Sequence, residues 1–352
     1  MQVTLLVGTA KGAFVWRSDA RRREWQLEGP LFKGWKVTAA CRVPGGDTFL
    51  GTASDVYGPA IQRSADLAEW RQVDAGPRYD GDSGWTLRQV WTLEGSNGAL
   101  YAGVDEAGLF HSGDGGTSWQ LVEGLSAHPT RPAWYPGAGG LCAHAVLVDR
   151  RAPERLWCGI SAVGVFHSPD AGRTWEPRNA GVPGVIEDPS HAGIGACVHA
   201  LAADPGDADA IWRQDHRGMF RTRDGGRSWE RIENGLPSSF GFPLAIDART
   251  KALFACPLES DEYRLPIGGR LRIYRSRDGG DSWEALERGL PTAHSYAGVL
   301  RRALAVDSLE PCGVYAGTTA GEVFASADGG DSWTRLSATL PRILCVEAFV
   351  EA

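Results

Sequence analysis

His144 and His199 each stand five residues before an aspartate, Asp149 and Asp204, and the same count separates Phe242 from Asp247 and Arg302 from Asp307. Gln89, with Arg88 beside it, holds the corresponding place before Glu94. A constant offset of this kind marks equivalent positions in a repeated unit, so side chains distant in sequence are expected to converge. His216, in the run Gln214-Asp215-His216, is expected on the same face. Three imidazoles with a carboxylate suit one transition metal, Zn, Cu or Fe. They equally suit an acid and a base near neutral pH, or a network around channel water. Arg88, Arg264, Arg301 and Arg302, with Gln89 and Tyr263, form a second constellation, whose guanidinium forks would take a carboxylate or phosphate. Glycoside hydrolysis needs two carboxylates, and the candidates are Glu106, Glu259, Asp261 and Glu262, the last three on one loop. Cys142 and Cys197 lie two residues before His144 and His199, on the same face if extended, although the recurrence also fits repeat packing. HExxH, the phosphate loop, the dinucleotide fingerprint, the kinase signature and the nucleophile elbow are all missing.

The elements that must position these residues are announced by a repeat. Five segments share Ser/Thr-x-Asp-x-Gly-x-Ser/Thr-Trp: SGDGGTSW (112–119), SPDAGRTW (168–175), TRDGGRSW (222–229), SRDGGDSW (276–283) and SADGGDSW (326–333). Weaker copies occur at SDARRREW (18–25) and SADLAEW (64–70). The Asp and the first hydroxyl can satisfy turn backbone, Gly permits positive φ, and Trp packs the turn on neighbouring strands. Strand-like runs such as GLFHS precede the box and runs such as QLVEG follow it, so the box joins the third and fourth strands of a four-stranded unit. The closing Trp residues, at 25, 70, 119, 175, 229, 283 and 333, are 45 to 56 residues apart, the length of a propeller blade.

These boxes resemble the BNR or Asp-box repeat family, within the WD40/YVTN/BNR-like propellers that include sialidases, sortilin-type receptors, xyloglucan hydrolases and photosystem assembly factors. The resemblance runs along the whole chain and implies an all-β, seven-bladed propeller with the box on the edge away from the ligand face. It does not name an activity, because enzymes and binding proteins share the box. Sialidases of the family carry an arginine triad, an N-terminal Arg-Ile-Pro element and a Tyr/Glu pair on six blades. The nearest string here, YRLP at Tyr263–Pro266, lies in the wrong part of the chain.

The expected organisation is a single propeller over 1–352, with blades at 1–30 plus 342–351, 31–76, 80–125, 139–180, 194–236, 240–290 and 298–340. The opening QVTLLVGT reads as a second strand, so RILCVEAFV (342–350) should supply its first and close the ring. Pro/Gly-rich stretches at 126–140, 181–193 and 257–269 read as long connections on one face. Trp35, Trp85, Trp91, Trp134, Tyr135, Tyr263 and Tyr296 lie outside the boxes; some would stack on a ligand and others, Trp91 among them, would pack the core.

Thirty-six basic against 43 acidic side chains, a net charge of -7, argue against nucleic acid and any broad phosphate-binding surface. No apolar run is long enough for a membrane span, and MQVTLLVGTAKGAFVW lacks the marks of a secretory signal, so a cytoplasmic protein without membrane attachment is expected. Seven scattered Cys fit reduced, buried thiols. The leading reading is a propeller binding a small anionic ligand or a protein partner at its channel mouth. A metal-dependent enzyme at the histidines and a glycoside hydrolase are the alternatives.

Overall fold

Runs such as Leu156–Ile160 (LWCGI) and Gly164–Ser168 (GVFHS) are buried along their whole length. A strand covered on both faces needs apolar or small residues at every position, which these runs supply. In this computed structural model, which describes residues 1–43, 45–96, 98–186, 193–336 and 338–351, such runs are the middle strands of four-stranded meanders. Ala143–Val148, Leu156–Ile160, Gly164–Ser168 and Glu176–Pro177, for example, pair antiparallel in chain order. Among the described residues there are five four-stranded sheets and one of eight strands, arranged as propeller-like blades. The helical segments are single turns of three or four residues.

The eight-stranded sheet corrects the expectation of seven separate blades. Gln2–Thr9 pairs antiparallel with Ile343–Glu351 from Gln2↔Glu351 to Thr9↔Ile343, with a register shift at Gly8/Thr9. A parallel bridge between Arg302 and Cys345 then joins this meander to the one that starts with Val299–Val306. Gly8 permits the close pairing of the two chain ends: a Cβ there would lie 2.5 Å from Cys345 Sγ, its partner across the pair. Two repeat units are thereby hydrogen-bonded into one sheet, and six sheets carry seven repeats.

The chain forms two compact units, Met1–Val37 with Arg213–Arg221 and Arg231–Ala352, and Thr38–Trp212 with Thr222–Glu230. The division falls within strand Asp207–Asp215. The first unit is built around Trp16, Phe254, Tyr315 and Phe324, and the second around Trp157, Phe49, Phe110 and Phe166. In the first unit Arg22 reaches Asp307 Oδ2 at 3.0 Å, and Tyr315 Oη donates to the same oxygen at 2.7 Å. Arg22 Nη1 and Nη2 also donate to the carbonyls of Pro311 and Ala327, so the terminal nitrogens of a charge pair excluded from water are bonded, while Nε has no hydrogen-bond partner among the described residues.

The first strand of several meanders carries an irregularity at the same place. Register shifts fall between Val90 and Thr92, Ala143 and Ala145, Gly241 and Leu244, and Val299 and Leu304. A bulge re-aims the side chains it contains, here Trp91, His144, Phe242 and Arg301.

The boxes form the expected turns between third and fourth strands. In the copy at 276–283, Ser276 Oγ accepts from Gly280 N and donates to Asp278, and Asp278 accepts from Ser282 N at 2.9 Å and Ser282 Oγ at 2.5 Å. The bonds from Ser282 and Ser276 hold the Asp278 carboxyl down at about 2. A carboxyl depressed by folding stabilises above its ordinary pKa, and that contribution fades as pH falls toward the folded value. Asp278→Asn is therefore expected to melt a few degrees below the parent above about pH 4, and the gap should close as pH approaches about 2. A gap that is constant across a pH series of melting curves would show that charge plays no part in the turn.

Candidate functional site

Asp105 and Glu106 sit on the turn between strands Ala99–Val104 and Leu109–Ser112. Backbone bonds fix it, Asp105 N donating to Gln89 O at 3.1 Å and Val104 N to Gly108 O at 2.9 Å. Gly108 is required, since a Cβ there would come within 2.1 Å of Tyr79 Oη. From the single turn Arg131–Ala133, the Arg131 guanidinium donates to the carbonyls of Glu106 (2.7 Å) and Ala107 (2.8 Å). It also lies over two indoles, 4.5 Å from the Trp85 ring centre and 4.8 Å from that of Trp134. This cation–π sandwich makes a rigid wall. The wall, both carboxyl groups, Arg88 and His128 enclose a cavity of about 760 Å³, large enough for a small molecule or several sugar rings.

The two carboxyl groups have different surroundings. Asp105 is 8% exposed, and its Oδ1 has no hydrogen-bond partner among the described residues. Burial raises its pKa; Arg88 opposes this and the Glu106 charge adds to it. Glu106 is more exposed and lies 3.2 Å from Arg88 Nη2. Burial lowers the His128 pKa, and its Nδ1 is 2.8 Å from Thr130 Oγ1, which also accepts from Trp134 Nε1 at 2.9 Å. A buried carboxyl that holds its proton more tightly than usual, beside an ion-paired carboxylate, is the division of labour that acid–base chemistry requires.

A second cluster lies at one end of a single sheet. His199 is near the start of strand Val198–Asp204, whose neighbour in that sheet, Asp207–Asp215, ends just before His216. The tight reversal at residues 205 and 206 brings that start and that end together. Cys197 precedes the strand, and the ligand atoms of Cys197, His199 and His216 lie within 4.8 Å of one another. A Cys/His/His set capable of coordinating a metal ion is thus present, and its thiol and imidazoles match Zn or Cu better than a hard cation. Burial lowers the His216 pKa; Asp261 works against this, and Arg264, Arg217 and Arg301 work with it. A neutral imidazole keeps a lone pair for a metal.

His144 is not a member of this set, contrary to expectation, and Cys197 takes the third place. His144 is the bulged residue of its strand, with Nδ1 3.0 Å from Val198 O and its ring 5.1 Å from that of Trp91. Counting from Asp149 placed it correctly along the strand, but the bulge sets its direction. Of the loop acids, Glu259, Asp261 and Glu262 are exposed, as is Tyr263. Arg88 serves Glu106, Gln89 contributes its backbone carbonyl to the Asp105 turn, and Arg302 lies 3.9 Å from Glu347. Arg264 and Arg301 both pack on the Phe242 ring. Cys142, Cys158, Cys256 and Cys345 are buried, and burial pushes the last three thiols up to about 12, as expected of packing residues. Of the three long connections, 126–140 supplies His128, Arg131 and Trp134, while residues 187–192 of the second lie outside the described residues.

No family model matches the chain. It is 32% identical over 113 residues to a probable oligoxyloglucan-reducing end-specific xyloglucanase of Neosartorya fischeri, covering 29% of this chain and 12% of that protein. It is 24% identical over 219 residues to the oligoxyloglucan-reducing end-specific xyloglucanase of Emericella nidulans, covering 53% of this chain and 25% of that one. The match thus spans a quarter or less of the length of these curated relatives. Among solved structures, an ancestral GH74 enzyme superposes with a TM-score of 0.57 at 15% identity, over 86% of this chain and 38% of that one. At that identity the likeness is one of fold, which resembles the GH74-type propellers.

Proposed function

We propose that the chain is a glycoside hydrolase acting at the Asp105–Glu106 cavity, with an oligosaccharide as substrate. The observation that carries this reading is the pair of adjacent carboxyl groups in opposite environments, one buried with its pKa raised by that burial, one ion-paired, in a cavity walled by two indoles. In this assignment Asp105 donates its proton to the glycosidic oxygen as the bond to the anomeric carbon breaks. Glu106 stabilises the developing positive charge or takes the proton of the attacking water. Trp85 and Trp134 offer flat surfaces against which sugar rings stack. The xyloglucanase names of the curated relatives make oligoxyloglucans the first substrates to try. The expected result is release of new reducing ends from such oligosaccharides by the purified protein. A panel of xylo-, gluco-, galacto- and uronic-acid-containing oligosaccharides left intact at pH 4 to 8 would overturn the reading.

A second reading rests on Cys197, His199 and His216, which we propose bind one Zn or Cu ion per chain. When bound, such an ion would supply Lewis-acid or structural chemistry; the chain's part is to hold a thiolate and two neutral imidazoles together at one sheet end. Elemental analysis after chelator washing and Zn reconstitution should find close to one ion per chain, falling at least about ten-fold in Cys197→Ser and His199→Ala. With cobalt, a thiolate charge-transfer band should appear in the parent and vanish in Cys197→Ser. His144→Ala should retain the ion, and loss there instead would return His144 to the site.

A further inference from the structure

The turn that carries Asp105 and Glu106 holds the buried Ala107 in the left-handed region, at φ 51°. A residue with a Cβ resists that conformation and persists in it only where its surroundings hold it there. Arg131 supplies the hold, Nη1 donating to the Ala107 carbonyl at 2.8 Å and Nη2 to the Glu106 carbonyl at 2.7 Å, one fork across two successive carbonyls. The Glu106 carboxylate itself pairs with Arg88, so Arg131 gives both terminal nitrogens to backbone. Its plane is fixed by the Trp85 and Trp134 rings, and each ring is backed in turn. Tyr79 stands edge-on to Trp85 with ring centres 5.4 Å apart, while Trp134 donates to Thr130 Oγ1 at 2.9 Å and lies 5.1 Å from the Phe166 ring. Arg131 therefore ties a rigid wall to the one turn whose backbone decides where two carboxyl groups point. Arg88, its side chain 64% exposed, is a loose guide for the Glu106 side chain, and the backbone beneath must supply the precision.

We propose that Arg131 is the positioning residue of the carboxyl pair, acting through the carbonyls of Glu106 and Ala107. Its kinetic consequence rests on the hydrolase reading; its structural consequence does not. Proton transfer to a glycosidic oxygen requires the donor and the partner carboxylate in a fixed geometry, and a misplacement of about 1 Å costs about 10²-fold in rate. A guanidinium meets this need where an ammonium does not, because its planar fork reaches two carbonyls at once and its orientation is set by the indoles before any substrate arrives.

Amide hydrogen exchange across residues 104–108, measured beside oligosaccharide hydrolysis on the same proteins, tests it. Arg131→Lys keeps the charge and loses the fork, so exchange over that turn should quicken by about ten-fold or more while the turn at 276–283 exchanges as in the parent. Its kcat should fall by about 10²-fold with KM changed by less than about three-fold, because the cavity walls remain and the carboxyl groups shift. Arg131→Ala should lose more, and guanidinium ion, added well below unfolding concentrations, should recover at least about ten-fold of its kcat and slow exchange of the turn by entering between the two indoles. A side chain that merely filled space would give no such recovery. Because the space vacated in Arg131→Ala could collapse, Arg131→Lys is the deciding variant. The proposal is overturned if residues 104–108 exchange in Arg131→Lys as in the parent, or if an active parent and Arg131→Lys share the same kcat. A parent that leaves every oligosaccharide intact overturns the hydrolase reading instead, and exchange then decides for Arg131 alone.

Discussion

Asp105→Asn is expected to lower oligosaccharide hydrolysis by about 10²- to 10⁴-fold while leaving the protein at least as stable at neutral pH. The two effects share one origin. Burial raises the Asp105 pKa, so the folded state prefers the protonated form and ionisation at neutral pH costs stability. A group raised by folding contributes stability below its ordinary pKa and loses it as pH rises through the folded value. Asn removes that loss, so the stability of the variant relative to the parent should grow as pH climbs through this window. Activity in the parent should fall over the same window, because the proton donor is consumed. Arg88 opposes the shift, so Arg88→Gln should move the alkaline limb of the pH–rate profile to higher pH. Glu106→Gln should also cost about 10²- to 10⁴-fold, by removing the carboxylate itself. Full activity in Asp105→Asn and Glu106→Gln, with melting curves intact, would remove both residues from the chemistry.

Deleting residues 342–352 is expected to abolish cooperative folding. Ile343, Cys345 and Val346 are 1%, 1% and 3% exposed, and the strand they occupy lies between Gln2–Thr9 and the meander that begins at Val299. Burying each such side chain is worth roughly 1.5–3 kcal/mol and each ladder hydrogen bond about 0.5–1.5 kcal/mol net. Together these approach the whole of the roughly 5–15 kcal/mol that holds a typical domain folded. The deletion also leaves Gln2–Thr9 with a bare edge, which invites aggregation. Ile343→Ala, costing about 2–5 kcal/mol, should lower the melting temperature without removing the transition. A deleted protein that melts cooperatively within a few degrees of the parent and resists limited proteolysis would show the strand to be dispensable.

The scaffold was legible because its strongest signal is local. The Asp278 turn bonds to residues four or fewer positions away, so its spacing is written in eight consecutive letters. The pairing of Gln2–Thr9 with Ile343–Glu351 was legible for a different reason: each end of the chain matched a strand of the repeat that it lacked. Half of the carboxylate cavity could be read in the same way, since repeat alignment puts Arg88, Gln89, Asp105 and Glu106 at one end of a meander. Trp85 and Trp134 were marked only among several aromatics outside the boxes, and His128 and Arg131 could not be read at all, because they belong to a connection without periodicity and a guanidinium between two indoles leaves no spacing rule in sequence. Cys197 was misread by analogy. Cys142 has the same place relative to His144, yet Cys142 is fully buried with its thiol directed to Gly139 O, while Cys197 is left partly open beside two imidazoles. The bulges explain the rest, since one extra residue in a strand reverses which face the following side chains occupy.

A turn that satisfies its own polar groups makes few demands on its surroundings. It needs little beyond its flanking strands, and the architecture tolerates departures from it, as in the copies ending at Trp25 and Trp70. The most recognisable segments of the chain are therefore those whose spacing serves the scaffold. Likeness in those segments speaks for the scaffold alone, whereas the cavity walls, carried on connections without such spacing, are where a particular chemistry has to be written.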